Sequence, residues 1–174
     1  VDAVVIYLSS LLRVSGCKVV LFVDEDLDEV ALQASGVPIQ RVVFEKHKVP
    51  LPPPWHMFHV SAARYFLYQQ YIQKQSVVSS FKYLQLSDVS DVAFQVDPIE
   101  WLESQPAGLH VFQHVPNLVL GADRETKRAV TFCFGSGDLT GELAGLKGQT
   151  LISAGYILGT AVAVSELINV VLSQ

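Results

Sequence analysis

The sequence predicts an α/β domain with a mostly parallel sheet flanked by helices. Three observations lead there. Apolar runs of strand length alternate along the chain with stretches of helical periodicity. The strand candidates are nearly continuously apolar, as strands covered on both faces are. Half of the 174 residues are hydrophobic and only 17% are charged, against about 25% in ordinary domains. A chain of this length buries roughly 70% of its unfolded surface, enough for one core without staples, so residues 1–174 read as a single domain.

The elements follow in order. Val1, Val4, Val5, Leu8, Leu11 and Leu12 recur at helical spacing and predict an amphipathic helix over 2–14. Ser15 and Gly16 end it, the glycine suiting a left-handed cap. Residues 18–23 form an apolar run that stops at Asp24, Glu25 and Asp26, a buried strand. A short helix over 27–34 is closed by Gly36, and 39–44 reads as a second strand. The proline-rich stretch 50–54 excludes helix and central strand. A helix over 58–73 follows, with Val60, Ala63, Leu67 and Tyr71 along one face and Phe66 beside them. A third strand, 81–86, runs into an acidic segment. Residues 92–95 read as a short extended piece, broken at Asp97 and Pro98, and 99–104 as a helical turn. Residues 109–112 and 118–120 are weak strands. A short helix over 138–146 takes Asp138 as its N-cap, with Gly148 just past its end. A strand over 151–158 and a last helix over 161–172, capped by Thr160, complete the order.

Composition narrows the function. A net charge of −5 argues against nucleic acid as a partner. Cys17 and Cys133 form neither a metal pattern nor a disulfide framework. The most apolar stretch, 152–172, carries Ser153, Thr160, Ser165, Glu166 and Asn169, and reads as a buried strand and helix rather than a membrane span. Localisation, cytoplasmic or Golgi lumen, stays open.

The sharpest feature is YLQLSDVSDVAFQVDP over residues 83–98. Asp88 and Asp91 stand just past the carboxyl end of a buried strand, where ligands of open α/β sheets bind. Carboxylates there hold a divalent cation against phosphates, serve as acid or base, or cap a turn. The segment resembles the acidic motif of GT-A glycosyltransferases, in the branch where the strand ends L-x-D-V-x-D-V-x-F-Q-x-D-P. This chain supplies Leu86, Asp88, Val89, Asp91, Val92, Phe94, Gln95, Asp97 and Pro98. Aligned on Asp91, the first acidic position of the common D-x-D pattern is Val89, and Asp88 lies one residue earlier. The helix around Arg64 and the stretch 152–160 resemble further family segments in order, with Ser153 where that family's N-x-G strand has asparagine, and Gly155 as its glycine.

The resemblance implies a GT-A, Rossmann-like fold whose first strand would precede Val1. It implies metal-dependent transfer of a sugar from a nucleotide-diphosphate donor, a UDP- or GDP-sugar, to a glycan or other hydroxyl acceptor. Arg64, Asp88, Val89, Asp91 and Gly155 would line the nucleotide-sugar site. Asp91 and Asp88 would hold Mn2+ or Mg2+. The catalytic base is not identified, and Asp138 and Glu142 are the acidic side chains considered for it. Two rivals stand beside this reading: a non-catalytic nucleotide-sugar-binding domain of the same fold, and an unrelated α/β phosphohydrolase using Asp88 as nucleophile. His110 and His114, four apart on strand and loop, lack the single helical face a zinc pair prefers. Trp55, His56, Met57, Phe58 and His59 offer an aromatic loop for stacking or packing. The glycine-rich loop 134–138 lacks the Lys-Ser/Thr of a phosphate-binding loop and ends in Asp138, which repels an anion.

Overall fold

A computed structural model describes residues 2–27, 29–48, 51, 53, 55–57, 60–113, 118, 119, 121, 122, 124 and 141–173. The chain forms two compact units, Val1–Leu109 with Leu158–Gln174, and His110–Ile157.

In the first unit, helix α1 (Asp2–Val14) buries Tyr7, Leu8, Leu11 and Leu12 along one stripe. Leu8 is wholly inaccessible, and burying such a side chain stabilises by about 2 kcal/mol. Its C-terminus is not closed by a left-handed Gly16, whose φ is not positive. Arg41 does that work instead: its guanidinium donates to the carbonyl of Ser15 at 2.8 Å and to that of Leu12. A cation there satisfies carbonyls that the helix leaves unpaired and suits the negative end of its dipole.

Strand β1 (Val19–Asp24), helix α2 (Glu29–Ala34) and strand β2 (Val42–His47) form a parallel β-α-β unit, in register from Val19 opposite Val42 to Asp24 opposite His47. Leu32 anchors α2 in the core, and Gly36, at φ 83°, closes it. β2 starts three residues later than expected. Residues Ile39–Arg41 form a 3-10 turn after Pro38 that carries Arg41 to the end of α1.

Helix α3 (Val60–Lys74) matches the expected helix, although residues 58 and 59 fall outside the described set. The expected face is met in part, since Ala63 is buried and Tyr71 packs on the core, but it leaves out Tyr65, Tyr68 and Ile72. Tyr65 and Ile72 enter a core cluster with Val77, Val164 and Ile168, and Tyr68, Tyr71, Leu84 and Leu86 pack against it. The helix is covered on more than one side, so its apolar residues spread around the axis and a single stripe misreads them. A short helix α4 (Val77–Ser80), absent from the sequence reading, follows Ser76 in the left-handed region at φ 49°. The hydroxyls of Ser79 and Ser80 donate back to the Ser76 carbonyl at 2.8 and 3.1 Å.

Strand β3 (Tyr83–Ser87) leads to helix α5 (Pro98–Glu103), strand β4 (Leu109–Gln113), strand β5 (Ile152–Thr160) and helix α6 (Ala161–Leu172). The second sheet has the order β3-β5-β4. It is antiparallel, which corrects the expectation of a mostly parallel sheet. The end of β5 meets the starts of both neighbours: the Thr160 N–H donates to the Gly108 carbonyl and the Ala161 N–H to that of Lys82, each at 3.0 Å. Residues 92–95 form no strand. Thr160 caps α6, accepting from the Ala163 N–H at 3.3 Å, as its position predicts.

In the second unit, Val119 of the expected strand 118–120 forms an antiparallel bridge with Thr150, and residue 120 lies outside the described residues. Residues Gly141–Leu146 are a 3-10 helix rather than the end of an α-helix. Asp138 and the glycine loop before it lie outside the described residues. Phe112 and Tyr156 pair their rings at 5.2 Å.

Candidate functional site

Strand parity decides where the acidic segment points. Side chains alternate across a strand. Leu84 and Leu86 pack on the cluster built by α3, α4 and α6, while Gln85 and Ser87 hydrogen-bond the Tyr7 hydroxyl on α1. Asp88 continues the parity of Leu84 and Leu86, and Val89 that of Ser87. Asp88 therefore arrives beside α3, and there Arg64 Nη1 forms an ion pair and hydrogen bond with its Oδ1. Arg64 lies one helical turn before Tyr68 and two before Ile72, so core packing of that face fixes where the guanidinium stands.

The pair is unevenly buried. The Arg64 side chain is 16% exposed and that of Asp88 39%. Burial alone lowers the Arg64 pKa, but Tyr68 and Asp88 more than offset it and hold the guanidinium above its ordinary value. Its Cζ also stands 5.6 Å from the Tyr65 ring centroid. Tyr68 is pushed up to about 12, first by burial, with Arg64 opposing. The guanidinium is thus a fixed cation beside a neutral phenol.

The segment beyond is tethered at two points. The Phe94 N–H donates to Ser10 Oγ at 3.0 Å, and the buried Phe94 ring meets Tyr7 edge-on at 5.4 Å. Asp97 caps α5, accepting from the Ile99 N–H at 2.9 Å, with Pro98 in the first turn. Between these anchors the backbone bends. Asp91 is exposed, and its carboxylate makes no ion pair or side-chain hydrogen bond with a described residue. Val89 is half-buried and, with Ser87, lines a cleft of the first unit.

The structure therefore gathers Arg64, Asp88, Val89 and Asp91 at the end of β3 but treats the two aspartates differently: Asp88 is paired with Arg64 and Asp91 is exposed. Gly155 lies within β5 in the second unit, where its N–H donates to Ser153 Oγ at 3.3 Å. Among the described residues no group of three His, Cys, Asp or Glu side chains could hold a metal ion. One free carboxylate is nonetheless a fitting donor for Mg2+ or Mn2+, since such ions keep several waters and take the rest of their oxygens from substrate phosphates. The sequence reading missed Tyr7 and Tyr68. The i, i+4 spacing of Tyr68 from Arg64 was the available signal; nothing local marked Tyr7.

No protein-family profile, no curated protein and no solved structure matches this chain. No helix among the described residues is long and apolar enough to cross a membrane.

Proposed function

We propose that the chain is a sugar-nucleotide-binding domain of a metal-dependent glycosyltransferase, with the diphosphate bound at the end of β3. The observation that carries this reading is the division of labour at that end: Asp88 is held by Arg64, while Asp91 projects free into solvent three residues later. A divalent cation, when bound, would offset charge on the leaving diphosphate. Asp91 is the residue that would hold it. Arg64 adds a permanent positive charge near the same point, fixed in orientation by Asp88. UDP- and GDP-sugars are the proposed donors, and a glycan or other hydroxyl the acceptor.

A second reading has its own observation. Asp88 spends its carboxylate on Arg64, which leaves one free acidic ligand, and this favours binding of the nucleotide sugar without transfer. Titrating Mn2+ with UDP or GDP and following thermal unfolding tests both. At a hundredfold excess over Kd, binding adds about 2.7 kcal/mol, or roughly 5–10 °C for a chain of this size. Asp91→Ala abolishes the shift. No shift with any nucleotide diphosphate sinks both readings. A shift without donor hydrolysis or transfer selects the second, and phosphatase turnover without nucleotide binding points to the phosphohydrolase.

A further inference from the structure

A groove of about 430 Å³ in the first unit is lined by α3, α4 and α6. Its volume lies at the small end of the range for small-molecule sites, about 300–1,000 Å³. Ile72 and Ile168, both buried, supply its apolar floor. Its polar lining is neutral throughout: amides from Gln69, Gln73 and Asn169, hydroxyls from Ser76, Ser79 and Ser165, and no ionisable side chain among the described residues. Exposed helix surfaces ordinarily carry charged residues. Here Lys74 and Glu166 stand next in sequence to Gln73 and Ser165, yet neither lines the groove.

The polar groups are held in place. Gln69 Nε2 donates to Asn169 Oδ1 at 2.9 Å, from one helix to the other. That bond fixes both amides and leaves Gln69 Oε1 to accept and Asn169 Nδ2 to donate, side by side. Two neighbouring hydroxyls of one molecule match such a couple, one donating and the other accepting. Gln73 repeats the amide one turn along α3, and Ser165 supplies a hydroxyl one turn before Asn169 on α6. The Ser79 hydroxyl spends its proton on the Ser76 carbonyl at 2.8 Å, which leaves its lone pairs to accept. Ser76 is an independent observation. It is the one described non-glycine residue with positive φ, 49°, a conformation that strains a residue bearing a Cβ and that usually falls to glycine at a helix end. Its hydroxyl caps nothing in α4. Local structure therefore gains nothing from serine over glycine at this position, whereas the groove gains a hydroxyl.

We propose that this groove binds a neutral saccharide, whose hydroxyls bond the amides and serines and whose C–H faces rest on Ile72 and Ile168. An anion finds no cation along the walls, and a purely apolar ligand would desolvate the amides without pairing them. This inference does not rest on the proposed function, since it needs neither nucleotide nor metal.

The test titrates the isotope-labelled chain with the methyl glycosides of glucose, galactose and mannose, with maltose, and with methyl glucuronide, in the absence of Mn2+ and nucleotide. The side-chain amide resonances of Gln69, Gln73 and Asn169 are read by NMR. The expected result is a saturable shift at Gln69 and Asn169 with at least one neutral sugar, at a Kd of about 1 mM, weaker binding of the glucuronide, and no saturation in Asn169→Leu. Ser76→Gly is the sharper variant: it should raise Tm by about 2 °C as the strain is relieved, yet weaken binding about fivefold through the lost hydroxyl. The absence of a saturable shift up to about 100 mM of every neutral sugar, a hundredfold above that Kd, overturns the proposal. Tighter binding of the glucuronide overturns it, as does unchanged affinity in both variants. A fall in Tm alongside weaker binding in Ser76→Gly also overturns it, because the serine would then be there for structure. Shifts at the same amides that grow with protein concentration alone do so too, because a second copy would then fill the groove.

Discussion

The Arg64–Asp88 pair admits a quantitative test. Fully exposed pairs are worth about 0.2–1 kcal/mol, whereas removing one partner of a buried pair costs about 3–5 kcal/mol. This pair falls between, with side chains 16% and 39% exposed. The Asp88 carboxylate keeps water on one side, so losing its partner leaves it partly solvated; Arg64 is more enclosed and more dependent on the bond. Asp88→Asn should cost about 1–2 kcal/mol and Arg64→Met, which retains the apolar stem, about 1 kcal/mol. In a double-mutant cycle read by urea unfolding, the two should fall short of additivity by about 1 kcal/mol. About half of that coupling should survive in 1 M NaCl, because partial burial limits screening. Asp91→Asn, at an exposed position, serves as the neutral reference. If the single costs sum to the double within 0.3 kcal/mol, Arg64 is not positioned by Asp88, and the site loses its fixed cation.

Burial raises Tyr7 and Tyr71 above 10 and pushes Tyr68 up to about 12. Between pH 10 and 12 the unfolded chain releases phenolic protons that the native chain keeps. The stabilisation is therefore whole below pH 10 and lost as pH rises to 12, and Tyr68→Phe should remove up to about 2 kcal/mol of that loss, as measured by denaturant unfolding across the window. Thr160→Ala removes the hydroxyl that accepts from Ala163 and should cost about 1 kcal/mol, with Thr160→Ser restoring most of it. A Cβ on Gly159 would stand 2.5 Å from the Gly108 carbonyl oxygen, so Gly159→Ala should cost about 1–3 kcal/mol; a cost under 0.5 kcal/mol would mean that β4 and β5 do not approach so closely.

Legibility from the sequence follows the range of the force involved. α1, β1, α6 and its Thr160 cap were readable because periodicity and capping act within a few residues. The Asp97 stop was readable for the same reason, as proline forbids strand pairing and Asp97 serves the next N–H groups. Three features were not readable, and each depends on contacts distant in sequence. Arg41 closes α1 from 26 and 29 residues away, so Gly16 was credited with a role it does not have. Only Ala63 and Tyr71 of the buried side of α3 follow from local pattern; Tyr65 and Ile72 do not, because α6, about 100 residues on, covers a side that local pattern assigns to solvent. The antiparallel placing of β5 between β3 and β4 is a choice of topology, and an apolar strand reads the same in either direction. Within the site, the motif located Asp88 and Asp91, but it could not say that one carboxylate is tied and the other free. That distinction is set by Arg64, and by parity counted from Leu84.

Tyr7 and Tyr68 tie the end of β3 to the core from two helices. Tyr7 holds Ser87 by its hydroxyl and Phe94 by its ring, and so grips the bend that carries Asp91 from both ends. Tyr68 packs edge-on against Phe22 of β1 at 5.2 Å and adjoins Arg64. If the bend positions a bound diphosphate as proposed, Tyr7→Ala, which releases it, should weaken nucleotide binding by about tenfold where ordering contributes about 1.4 kcal/mol. Tyr7→Phe should keep the part that ring packing alone supplies. Equal affinities for the parent chain and Tyr7→Ala, measured by calorimetry with Mn2+ present, would mean that the anchoring of the bend has no part in binding.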